Sequence, residues 1–150
     1  MNIALIAAGT LVSKKEATWL TMLNLAKEYK QQGHFVAIIA KRSPSLPVIE
    51  TVEGISIYRL YGEGKISKLT AVSKTIQHLQ QEQKIEFDVL HGFSSSPLLA
   101  WELKLAKKHA PQAKIIHTLK SYSKYPVTEK FSFLLRYADV VTVPTAIAAE

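Results

Sequence analysis

Three short clusters hold most of the side chains able to grip or transfer a polar group. They are Gly9-Thr10 with Lys14 and Lys15; His91 with Ser94, Ser95 and Ser96; and Lys120, Ser121, Tyr122 with Lys124. Imidazole and hydroxyl groups suit hydrogen bonding to a neutral polar ligand, and ammonium groups suit a phosphate. Each cluster also has a structural reading. The serines fit a turn and a helix cap. His91 fits a strand-end histidine satisfied by backbone groups. Lys14 and Lys15 fit solvated lysines, though they oppose the dipole of the helix that follows by roughly a few tenths of a kcal/mol. The five histidines show no ligand spacing with carboxylates, so no metal site is expected. The absence of cysteine excludes disulfides, thiolate sites and a cysteine nucleophile, and it suits a cytoplasmic protein.

Positioning these groups requires a sheet. Apolar runs at Ile3–Ala7, Phe35–Ala40, Ile55–Leu60, Phe87–Leu90, Ile115–Leu119 and Val140–Val143 read as six strands, mostly continuous, as in a parallel sheet covered on both faces. Ile55-Ser56-Ile57-Tyr58 alternates and reads as nearer an edge. Between the strands the period becomes helical. Ser13 and Glu16 fit a capping box; Trp19, Met22, Leu23, Ala26 and Tyr29 then form one stripe, ended by Gly33. A second helix over about Ser67–Lys84 carries Leu69, Val72, Ile76 and Leu79. A third opens at Pro97, with Leu98, Trp101, Leu105 and His109 as its stripe and Pro111 as its stop. A fourth spans about Thr128–Tyr137, and a fifth begins at Pro144-Thr145. Glu53-Gly54 reads as a turn. The alternation implies right-handed crossovers and one doubly wound, mostly parallel Rossmann-like α/β domain of about six strands, with helices on both faces. Ligands would then sit beyond the carboxyl ends of the strands, after Ala7, Leu90 and Leu119.

Composition agrees with a globular domain. The chain has 150 residues, 47% hydrophobic and 21% charged, and no apolar run approaches the roughly 20 needed to span a bilayer. Its opening lacks a basic n-region and reads as a strand, not a leader. A net charge of +7 is spread thinly. It suits an anionic membrane surface or a phosphorylated substrate, although an ordinary solvated surface explains it better. Nucleic-acid binding would need a concentrated basic stripe or a recognised motif, and neither is present. No G-x-G-x-x-G or G-x-x-x-x-G-K-[ST] follows the first strand, which argues against a dedicated phosphate cradle.

Four stretches resemble the motifs of family 4 glycosyltransferases of the GT-B fold. Leu25-Ala26-Lys27-Glu28-Tyr29-Lys30-Gln31-Gln32-Gly33-His34-Phe35-Val36 is similar to "LAxxLxxxGHEV". Phe87-Asp88-Val89-Leu90-His91 resembles "fDvvHaH", Lys114 to Lys120 occupies the place of "PvvxTxH", and Ala138 to Thr145 resembles "ADxvixxS". The resemblance implies transfer of a hexose-type sugar from a nucleotide-sugar to a carbohydrate or lipid-linked acceptor, in a cleft between two domains, without a further cofactor. It makes these residues the N-terminal, acceptor-side half, with the nucleotide held by a C-terminal domain that has no counterpart here. Alone they are expected to be inactive. A cytoplasmic location, with peripheral contact at the inner face of the membrane, fits that role.

Two departures matter. Glu16-Ala17 stands where the family usually has Gly-Gly, so a side chain obstructs the backbone approach to a diphosphate, although Gly9 may return some room. Lys120 stands for the cleft histidine; it can neutralise a phosphate but is a poor general base at neutral pH. These departures keep open a second expectation, a non-catalytic binding module or partner subunit with the same fold.

Overall fold

The computed structural model describes residues 1–7, 11, 16–59, 65–94, 97–119 and 136–142. Strands Asn2–Ala7 (β1), Phe35–Ile39 (β2), Ile49–Val52 (β3), Ile55–Tyr58 (β4), Val89–Phe93 (β5), Lys114–Thr118 (β6) and Val140–Thr142 (β7) form one sheet. Its order is β3-β4-β2-β1-β5-β6-β7. All neighbours are parallel except β3 and β4. The chain builds from β1 outward through β2 to β4, then crosses back to lay β5 on the other side of β1. The switch in direction therefore falls between β1 and β5, where open sheets bind their ligands.

Helix Ala17–Gln31 (α1) covers one face; helices Lys65–Gln83 (α2) and Pro97–Ala106 (α3) cover the other. Each strand serves both, because successive side chains point to opposite faces. From β1, Ile3, Leu5 and Ala7 join Trp19, Met22, Leu23 and Ala26 of α1. Ala4 and Ile6 join Ile76, Leu79, Leu99 and Leu103 beneath α2 and α3. Two-sided burial is why this strand has no polar alternation.

The end of α1 is set by its sequence. Gly33 lies at φ +83°, its N–H donates to the Lys30 carbonyl, and the His34 N–H donates to Tyr29. This is the Schellman arrangement, and His34 completes it by approaching the Tyr29 ring, centroids 6.3 Å apart.

The structure corrects several sequence expectations. There are seven strands, not six, among the described residues. The addition is β3, joined to β4 by Glu53 and Gly54, whose φ values of 50° and 77° give a two-residue turn with both central residues left-handed. The sequence expectation set Ser13 as the cap of α1 and Glu16 inside its first turn. Helix α1 begins at Ala17, and Glu16 occupies the N-cap position without a side-chain cap hydrogen bond; Ser13 lies outside the described residues.

In α3 the buried stripe is Leu99, Leu103 and Ala106; Leu98 is 48% exposed, and Trp101 and Leu105 are half-buried. The reason lies on β5. A Cβ on Gly92 would stand 2.7 Å from Leu103 Cδ1 and 3.0 Å from Leu99 Cδ2, so only glycine lets α3 settle on those two leucines. The helix ends at Ala106, before Pro111. Of the expected fourth helix, only Arg136 and Tyr137 fall among the described residues, and they are helical. The fifth lies outside them.

Candidate functional site

The strand pairing brings the carboxyl ends of β1, β5, β6 and β7 side by side. Ala7 is level with Phe93, Phe93 with Thr118, and Thr118 with Thr142. This edge is where the sequence places the site. His91 is the middle residue of β5 and not, as expected, the residue after a strand ending at Leu90. The strand runs longer because β1 and β6 supply backbone partners as far as Phe93.

His91 is 6% exposed. Its ring stacks on Phe93 with centroids 4.3 Å apart, and its Nε2 is hydrogen-bonded to Thr118 Oγ1 at 2.7 Å. Thr118 Oγ1 is in turn 2.6 Å from Thr142 Oγ1, so three strands share one side-chain network. Burial, and secondarily the nearby His117, lowers the His91 pKa to about 4. The imidazole is therefore neutral at neutral pH, and its buried Nδ1 has no hydrogen-bond partner among the described residues.

His117 projects from the opposite face of the sheet. Its Nε2–H donates to the carbonyl of Ser94 at 3.0 Å. Burial pushes its pKa down, against the opposing pull of that bond. Its Nδ1 is likewise buried and unpaired. Ser94, buried directly after β5, also receives a fixed backbone position, its N–H donating to the Thr118 carbonyl at 3.1 Å. Ser94 thus lies at the carboxyl edge, with His91 three residues before it on β5. Gly9, Thr10, Lys14, Lys15, Lys120, Ser121 and Tyr122 lie outside the described residues, but the strands that lead toward those loops, β1 and β6, flank β5.

Sequence reasoning missed two groups at the same edge. Arg59 follows β4 fully buried, donating from Nη2 to Glu50 Oε1 at 2.8 Å and from Nη1 to the Pro47 carbonyl at 3.4 Å. It ties the β3 hairpin to the segment before it. Glu102 of α3 is 6% exposed and lines a small crevice with Ala7, Ile39, Ala40, Lys41, Ala71, Val72 and Thr75. Burial raises its pKa to about 6, moderated by the charge of Lys41. The one available signal was an acid set within the Leu99, Leu103, Ala106 stripe.

The aspartates of two motifs serve the other edge. Asp88 Oδ2 accepts the Asn2 N–H at 2.7 Å, and the Asp88 N–H returns to the Asn2 carbonyl at 2.8 Å. Asp139 repeats this with Ile115, at 2.8 Å in both directions. The Ile115 N–H, burial notwithstanding, holds the Asp139 carboxyl below its ordinary pKa, with Lys107 assisting. Each aspartate thus pins the start of a strand to its neighbour. A broader polar groove at that edge, lined by Gln77, Gln80, Gln81, Lys84, Lys108 and His109, contains only exposed or half-buried side chains. It lies away from the switch point. Among the described residues no cluster of three or more His, Asp or Glu could hold a metal ion, and no helix is long and apolar enough to cross a membrane.

A doubly wound sheet with polar groups gathered at the carboxyl edge beside its switch point defines a Rossmann-like domain, similar to those of GT-B glycosyltransferases. Residues 20–150 match the sequence model of Glycosyltransferase Family 4, and the chain belongs to that family. Among solved structures it is similar to the catalytic domain of starch synthase IV from Arabidopsis thaliana, bound to ADP and acarbose, with a TM-score of 0.60 and 15% identity over 94% of this chain. The chain spans 44% of that protein's length. A weaker likeness, TM-score 0.44 at 15% identity, is to homoserine dehydrogenase of S. aureus, covering 97% of this chain and 32% of that one. No curated protein sequence matches.

Proposed function

We propose that this domain is the acceptor-side half of a glycosyltransferase. It would hold a carbohydrate or lipid-linked acceptor while a hexose-type sugar arrives from a nucleotide-sugar carried by a second domain. The observation that supports this best is the convergence of β1, β5 and β6 at the switch point, with neutral His91 on β5 and Ser94 directly after that strand. Such groups suit hydroxyl recognition. Lys120, Ser121 and Tyr122, with Gly9, Thr10, Lys14 and Lys15, complete the proposed binding surface, and His91 and Lys120 are the candidates for the chemistry itself. The net charge of +7 suits a peripheral position on an anionic inner membrane face, reached from the cytoplasm.

Glu16 at the entry to α1 favours a second reading, a binding module without its own transfer activity. A carboxylate there repels a diphosphate that would otherwise approach the positive end of the helix.

The test is binding and turnover by the chain itself. Methyl glycosides should perturb backbone resonances of His91, Ser94 and Thr118, whereas UDP- and ADP-sugars should not, and no sugar should be released from either donor. Nucleotide-sugars binding at those same residues, or turnover by the isolated chain, would refute the assignment.

A further inference from the structure

The crevice beside Glu102 combines features that ordinary surface grooves lack. Glu102 is nine-tenths buried, yet among the described residues it makes no hydrogen bond or ion pair. Around it stand Ala7 and Ile39 at the ends of two strands and Ala71 and Val72 of α2. Thr75 also lines the space, but its hydroxyl proton is committed to the Ala71 carbonyl at 2.8 Å. Lys41, two residues after β2, acts on Glu102 electrostatically without pairing to it among the described residues. A carboxylate so largely buried and without a protein partner is costly, and what enters the mouth of the crevice, water or a ligand group, must supply its hydrogen bonds.

The geometry points to Glu102 and Lys41 as a subsite that takes one hydroxyl group of the acceptor sugar, at the carboxyl edge of the sheet. This inference rests on the acceptor-side reading and deepens it. The enclosed part of the crevice measures about 10 Å³, room for about one water-sized group. A hydroxyl matches both walls at once, donating its proton to the carboxylate and accepting from the ammonium. An amine would meet repulsion from Lys41, and a phosphate would meet repulsion from Glu102. The apolar lining strengthens both hydrogen bonds by excluding competing water. The site lies on the α2–α3 face, across the sheet from His91, so it would orient a sugar held at the edge and take no part in bond making.

The experiment uses the whole chain with methyl α-D-glucopyranoside, methyl α-D-mannopyranoside and their monodeoxy derivatives, followed through the carboxyl-carbon resonance of Glu102. A saturable shift is expected with at least one glycoside. Removal of a single hydroxyl should weaken that binding about tenfold, as loss of a charge-assisted hydrogen bond does. Glu102→Gln should weaken it similarly while leaving the melting temperature unchanged or higher, because the uncompensated buried charge is gone. Lys41→Met, read by backbone shifts, gives an independent measure should the first variant fold poorly; it should weaken binding of the same glycoside. Binding unchanged by both substitutions overturns the subsite and leaves the acceptor-side reading standing. Absence of binding to any glycoside overturns both.

Discussion

Acid must charge two imidazoles that the fold keeps neutral. His91 titrates near 4 when folded and near 6.5 when exposed, so the unfolded chain binds more protons across that window. Stability contributed by neutral His91 is full above the unfolded value and is lost as pH falls toward the folded one. His117 acts in the same direction. Glu102 acts oppositely: its raised pKa means that its cost is present above about 6 and is relieved as pH falls toward 4.5. That cost is about 1 kcal/mol once water at the crevice mouth is allowed for. The histidines therefore dominate. Between about pH 7 and pH 5 the chain should lose roughly 2 kcal/mol through His91 alone, and His91→Asn should remove that share of the slope. Urea unfolding at the two pH values measures it; an unchanged slope would mean that His91 is hydrated. None of this was visible in the sequence. In the sequence His91 reads as the residue after a strand that stops at Leu90, because the length of β5 is fixed by hydrogen bonds from β1 and β6 and not by hydropathy. Glu102 offers one local signal, an acid among the leucines of α3, and nothing near it in the chain announces that α2 will close over it.

Elements were more readable where burial is two-sided or periodic. The run Ile3–Ala7 and the Trp19, Met22, Leu23, Ala26 stripe carry their pattern locally, and Gly33 stops α1 by a conformation few other residues adopt. Strand β3 was hidden because it lies at an edge, where exposure alternates and Ile49 is 51% open to solvent. Only the Glu53-Gly54 turn marked it. The stripe of α3 was misread by one position because Gly92, on a strand, decides which leucines go inward. Gly92→Ala should therefore destabilise the chain by about 1–3 kcal/mol, as overpacking does, by pressing on Leu99 and Leu103. A melting temperature within experimental error of the parent would show that α3 can slide without loss.

At the scale of the whole molecule, the sheet divides its work between two rims. At the amino rim, Asp88 and Asp139 each exchange two hydrogen bonds with the first residues of a neighbouring strand. Asp88→Ala and Asp139→Ala should each cost about 1–2 kcal/mol, since each leaves a strand N–H without its acceptor. The two lie on separate strand pairs and share no partner, so the double variant should show the sum. Glycoside affinity of the folded fraction should stay at the parental value; a selective loss of binding would mean that the aspartates reach the site. The sequence showed these residues only as motif letters, and their work as register pins became visible once the partners Asn2 and Ile115 were in place.

Such pinning has a wider consequence. Strands held in step from below cannot slip when side chains above them change, so the carboxyl rim can vary in chemistry while the lattice of backbone bonds beneath stays aligned. One framework can then carry many different rims, with the loops rewritten at the top and alignment inherited from the bottom.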